Sequence, residues 1–119
     1  KMSFDLGDFI VMRRVQTRRW KVDKKFYVTA KFTAKKTRVT DMITLLKKLT
    51  AETKSEAGCL DYGYYQSSED SRVFTSIEVW KNHEAEAAHW DTQHLQDALT
   101  QLHNLMDGEA EVTKYHKIT

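Results

Sequence analysis

A chain of 119 residues, 40% hydrophobic and 30% charged, suits one globular domain. No apolar run reaches the roughly 18 residues needed to cross a bilayer, and no hydrophobic leader precedes a small-residue cleavage site, so the expectation is a soluble, cytoplasmic protein without a membrane partner. The lone Cys59 excludes an internal disulfide and a multi-cysteine metal site, and between Gly58 and Leu60 it reads as a small buried hydrophobe.

The net charge of +2 conceals two unlike halves: residues 1–38 carry 12 Lys or Arg against 3 Asp, and residues 39–119 carry 7 against 14 Asp or Glu. A basic arm can attract nucleic acid, but the rest of the chain has no helix-turn-helix, zinc-finger or aromatic RNA-binding pattern, so nucleic acid is not the expected partner. Residues 1–25 form this basic extension, with Arg13, Arg14, Arg18, Arg19, Lys21, Lys24 and Lys25 around Trp20. A disordered arm and a strand swapped with a partner subunit both remain open for it. The domain proper is residues 26–119.

Phe26, Val28, Ala30 and Phe32 alternate with Tyr27, Thr29, Lys31 and Thr33, which predicts a first strand with one apolar face. From Arg38 to about Ser55, Val39, Met42, Ile43, Leu46, Leu49, Thr53 and Ala57 recur at three and four, predicting a helix with Thr37 as N-cap and Gly58 as C-cap. Leu60–Gln66, rich in tyrosine, is a second strand, and Ser67–Ser71 is a polar turn into a third, which favours an antiparallel hairpin. Along Arg72–Trp80 the alternation puts Val73, Thr75, Ile77 and Val79 on one face and Phe74, Ser76, Glu78 and Trp80 on the other.

Asn82 then caps a short helix that has Glu84 and Glu86 in its first turn, and Asp91-Thr92 interrupts it to start a second helix at Gln93. Leu95, Ala98, Leu99, Leu102, Leu105 and Met106 carry that helix to a stop near Gly108, and Ala110–Ile118 alternates as a fourth strand. The order β-α-β-β-α(broken)-β is an α+β, ferredoxin-like pattern with an antiparallel sheet. One layer of helices covers only one sheet face, so the apolar residues on the other face call for a second copy of the chain.

The strand ending Ile77-Glu78-Val79-Trp80, the alanine-rich helix closing in Ala88-His89, and Thr92-Gln93-His94-Leu95 opening the next helix resemble the antibiotic biosynthesis monooxygenase (ABM) domain family. Gly58-Cys59-Leu60 followed by Tyr62 is similar to that family's strand entry, and the likeness covers roughly Phe26 to Ile118. The resemblance implies a homodimeric α+β barrel and a pocket between sheet and helices, towards which Phe74, Ser76, Glu78 and Trp80 would point. Trp80 matches a tryptophan that lines the pocket in several members, although a large aromatic at the end of a buried strand also fills space in any core.

The implied activity is cofactor-independent monooxygenation of a small phenol, quinol or enediol by dioxygen, with His89 or His94 as acid or base and with Trp80 and Tyr62 packed on the substrate. Each histidine could equally cap a helix end or bond the backbone, whereas His83, His103 and His116 read as surface residues. Glu78 would be costly to bury without a partner. Five residues apart, His89 and His94 do not share one face of a helix, which argues against a zinc site. There is no glycine-rich phosphate loop for a flavin.

The departures from the family are specific. Ser76 stands where phenol oxygenases of the family have an asparagine, Glu86 where they have a tyrosine, and the last helix holds no arginine. In the haem-degrading branch the axial histidine would fall near Leu99 and an asparagine near Ala30, which argues against haem. The small quinol monooxygenase-like branch is the nearest in pattern. Two alternatives stay open: a non-catalytic ligand-binding or interaction domain of the same fold, and an isomerase of a small phosphorylated dione.

Overall fold

The computed structural model describes residues 24–119, so the basic extension lies, apart from Lys24 and Lys25, outside the described residues. The elements are β1 (Phe26–Ala34), α1 (Val39–Thr53), β2 (Cys59–Gln66), β3 (Val73–Trp80), α2 (His83–Trp90), α3 (Gln93–Leu105) and β4 (Met106–Tyr115). The strands form one sheet in the order β2-β3-β1-β4, with every neighbouring pair antiparallel. This is the α+β ferredoxin-like fold expected from the residue pattern. Among the described residues no helix is long and apolar enough to cross a membrane.

Alternation in the strands and three-four spacing in the helices meet in a single core. Phe26, Val28 and Phe32 of β1 and Phe74 and Trp80 of β3 are buried against Met42, Leu45, Leu46 and Leu49 of α1 and Leu95, Ala98 and Leu105 of α3. Leu45, which the sequence pattern left out, joins the stripe, while Ala57 lies beyond the helix and is exposed. On the opposite sheet face Val73, Thr75 and Val79 are half-buried and Ile77 is 47% exposed.

Several predicted boundaries shift, that of the fourth strand among them, which runs Met106–Tyr115 and not Ala110–Ile118. The N-cap of α1 is Arg38, not Thr37, and no side chain caps it; instead the Arg38 guanidinium bonds Asp41 of the first turn at 2.7 Å, where a carboxylate also suits the helix dipole. At the other end, α1 stops at Thr53, five residues before Gly58. Gly58 is small for another reason: a Cβ there would lie 2.3 Å from the Ala85 Cβ, so only glycine lets the loop pack against α2. Gly58 also accepts a backbone bond from Lys81 at 2.8 Å, which fixes the loop beside the end of β3.

α3 does not run to Gly108; it ends at Leu105, and Met106 is already extended as the first residue of β4. Gly108, at φ 82°, sits where the β1–β4 register shifts between Lys31 and Thr33, the kind of bulge that needs a left-handed residue.

The break between α2 and α3 is built as the sequence indicated. Asn82 Oδ1 accepts from Ala85 N at 2.8 Å to start α2, and Thr92 Oγ1 accepts from Leu95 N at 3.3 Å to start α3. The Thr92 hydroxyl also donates to the His89 carbonyl at 2.8 Å, so one residue closes the first helix and opens the second.

Candidate functional site

On an unbroken helix, residues five apart point about 140° away from each other. The break removes that constraint. His89 Nδ1 and His94 Nε2 each lie 2.6 Å from the same oxygen, Oε2 of Glu56, which comes from the loop between α1 and β2. The spacing argument against a metal site therefore fails, because it assumed a single helical face. Glu56 is the residue that sequence reasoning missed; it sits two positions before Gly58, in a loop with no periodicity, and nothing local marks it.

His89 is held on several sides. Its ring lies 4.8 Å from that of Trp80 and 5.5 Å from that of Tyr62, centroid to centroid, and it is 3% exposed. With Glu56 ionised, the carboxylate oxygen only accepts, so His89 donates from Nδ1 and His94 from Nε2. That assignment leaves Nε2 of a neutral His89 with its lone pair. The carboxylate thus selects the tautomer as well as the ring orientation.

The inward face of β3 forms a second polar group. The Ser76 hydroxyl donates to Glu78 Oε2 at 2.7 Å, the Trp80 indole donates to Glu78 Oε1 at 2.9 Å, and Ser76 Oγ accepts from Ala30 N at 2.8 Å. Ser76 and Trp80, both fully buried, support Glu78 and do not line the cavity described below. Burial holds the Glu78 carboxyl above the usual carboxylate range, against the opposing pull of the Ser76 and Trp80 bonds and of His89.

A raised folded-state value means that the folded protein keeps a proton which the unfolded chain has lost, so this group's contribution is full at low pH and declines as pH rises through the folded value. Glu78→Gln should therefore flatten the fall in stability as pH rises above the ordinary carboxylate range; urea midpoints from there upward check it, and an unchanged slope would show that Glu78 is ionised in the fold.

Tyr62 and Tyr64 share a hydroxyl contact of 2.9 Å, and burial keeps both phenols protonated far above neutrality. Cys59 is half-buried, not fully buried; burial first, with Glu56, Glu78 and Asp61 nearby, pushes its thiol up to about 11, which suits packing and not nucleophilic chemistry. His83, His103 and His116 are exposed, as expected, with His83 and His116 edge-on to Phe26.

Glu86, where the family's phenol oxygenases have tyrosine, is 1% exposed and accepts from the Trp90 indole at 2.7 Å, with Lys114 of β4 at 3.3 Å. The substitution is thus compensated by two partners.

Between the sheet and the helices lies a cavity of about 70 Å³ that takes in Tyr62, Tyr64, Glu78, His89 and Trp90 and is otherwise walled by apolar side chains of β1, α1, α3 and β4. A cavity of about 150 Å³ holds benzene. A single-ring ligand therefore enters only if the wall yields, and half-buried Leu99 and Leu102 with exposed Val112 are the side chains able to do so. A larger, open groove of about 480 Å³ runs between α1 and β2 and holds Phe74, but neither Glu56, Glu78 nor His89. Its lining brings Lys47, Lys54, Asp61 and the tyrosines of β2 together, but no histidine. Phe74, expected to face the site, packs instead on Phe32 and this groove.

Residues 25–101 match the model of the family described as antibiotic biosynthesis monooxygenase. A conserved protein of known structure from Methanosarcina mazei Go1 is 31% identical with a TM-score of 0.78, over 84% of this chain and 99% of that one. A protein of unknown function from Bacteroides thetaiotaomicron VPI-5482, described as a possible oxidoreductase, is 28% identical with a TM-score of 0.72, over 78% of this chain and 97% of the other. An uncharacterized protein of Synechocystis is 25% identical over 93 residues, which are 78% of this chain; the match spans 63% of that curated relative's length.

Proposed function

We propose that this chain, which belongs to the antibiotic biosynthesis monooxygenase family, is a cofactor-independent monooxygenase of a small phenol, quinol or enediol, with His89 as its base. The observation that carries the reading is the 2.6 Å contact between Glu56 and His89 Nδ1, which frees Nε2 on a buried ring that lines the cavity. His89 takes the substrate's hydroxyl proton, and the electron-rich anion passes an electron to dioxygen. Recombination forms a carbon–oxygen bond; the O–O bond then breaks as the same carbon loses its hydrogen, so that one oxygen atom stays in the product as a carbonyl and the other leaves as water with that hydrogen and the proton held by His89.

In this scheme Tyr62 and Tyr64 remain phenols; one donates to the other and the second donates towards the oxyanion, while Ser76 and Trp80 hold Glu78 and Trp80 backs the His89 ring. His94 is the second partner of Glu56 and not the base, since its side chain is 20% exposed and lies outside the cavity. Oxygen uptake by metal-free protein against a panel of hydroquinones tests the reading. Uptake that Glu56→Gln and His89→Gln both depress supports it, and no uptake on any member overturns it. Turnover of a phosphorylated dione without oxygen would favour the isomerase; ligand binding without any turnover, the binding domain.

The same reading includes a homodimer through the outer sheet face, where Ile77 is 47% exposed beside the half-buried Val73, Thr75 and Val79. Ile77→Asp is expected to give monomers or aggregates, because it would bury an unpaired charge in the contact. Sedimentation at micromolar concentration decides this, and a compact monomer formed by the unmutated protein would end the dimer proposal.

A further inference from the structure

We propose that Glu56, His89 and His94 form a site for one divalent transition-metal ion of the zinc class, and that the ion switches the base off. Their donor atoms lie within 4.8 Å of one another, although they come from the α1–β2 loop, the last turn of α2 and the first turn of α3. Two imidazoles and one carboxylate are a donor set that zinc and cobalt take with a fourth position left to water.

Metal–ligand bonds of about 2.0–2.1 Å place tetrahedral donors ~3.3 Å apart. Glu56 Oε2 is 2.6 Å from each imidazole nitrogen and must draw back by a fraction of an ångström, while the two nitrogens, within 4.8 Å of each other, must close towards the same ~3.3 Å spacing. Two of the three can move: Glu56 lies in a loop and His94 has a side chain 20% exposed, whereas His89 stays fixed between Tyr62 and Trp80.

The ion takes the places of the two protons that the imidazoles donate to Glu56, and each ring stays neutral by taking its proton on the other nitrogen. An imidazole bound to metal through Nδ1 therefore carries its one proton on Nε2. That is the atom which must be bare for His89 to act as a base, so the loaded protein presents a donor where the metal-free protein presents an acceptor. This second half rests on the reading of His89 above; the binding half does not.

The test is titration of the metal-stripped full chain with Co²⁺, read by visible ligand-field absorption and reversed by Zn²⁺. One ion per chain is expected. Even outer-shell changes weaken metal binding by about 10–100-fold, so His94→Gln and Glu56→Gln, which each remove a ligand, should weaken it by about a hundredfold or more. His103→Gln, far from the cluster on the exposed side of α3, should change nothing.

Absence of a one-to-one complex, or wild-type affinity in both ligand variants, overturns the site. Zn²⁺-loaded protein should lose oxygen uptake on a substrate that the metal-free protein oxidises, and a chelator should restore it. Undiminished uptake by the loaded protein overturns the switch. Absence of uptake even without metal sinks both the switch and the reading of His89 as a base, while the Co²⁺ titration still decides the site.

Discussion

Replacing His89 by glutamine is expected to lower turnover by roughly 10²–10⁴-fold, the range that a positioned acid or base contributes. Glutamine keeps much of the size and a hydrogen-bonding group for Glu56, but it cannot hold a substrate proton. Stability should fall far less, by about 1 kcal/mol, because one buried hydrogen bond weakens while His94 continues to satisfy the same carboxylate oxygen. Glu56→Gln should show a smaller loss of turnover, since it removes the group that sets the tautomer but leaves the ring in place. His94→Gln should cost least, as that side chain touches Glu56 and not the cavity. Initial rates of oxygen uptake with melting curves for the three variants separate a base from a structural histidine. Wild-type turnover in His89→Gln would refute the assignment whatever its stability.

The ranking of those variants could not have been reached from the sequence. Period-two and three-four patterns report which face of an element is apolar, and they located the four strands, α1 and α3; α2 was legible instead from its Asn82 cap, acidic first turn and alanines. The caps at Asn82 and Thr92 were equally legible, being local side-chain to backbone bonds. Gly58 was legible as special but not in its role: a close approach to Ala85, 27 positions later, cannot be distinguished locally from a helix cap. Glu56 was invisible for the same reason. Its partners lie 33 and 38 residues away, and only the packing of a loop against a helix break brings them together.

The β3 face shows the converse. Alternation correctly turned Phe74, Ser76, Glu78 and Trp80 inward, yet the helices above decide what each meets, so Glu78 reaches the cavity while Ser76 and Trp80 become its hydrogen-bond donors.

Trp80 is the position where packing and chemistry are hardest to separate, and two substitutions divide them. Trp80→Ala should destabilise the fold by about 3–5 kcal/mol, on the order of 15 °C in melting temperature for a domain of this size. The side chain is fully buried, packs on both Tyr62 and His89, and donates to Glu78 Oε1, so truncation opens a cavity and strips a buried carboxyl of a donor. Trp80→Phe keeps an aromatic ring beside His89 and loses only the donor and part of the volume, which should cost about 1–3 kcal/mol, chiefly the unsatisfied oxygen. Because Trp80 does not line the cavity, KM should be nearly unchanged in the Phe variant and kcat should fall as His89 loses the surface that holds its ring. A rise in KM at constant kcat would instead place the indole against the substrate and show that the cavity opens as far as β3 when a ligand enters.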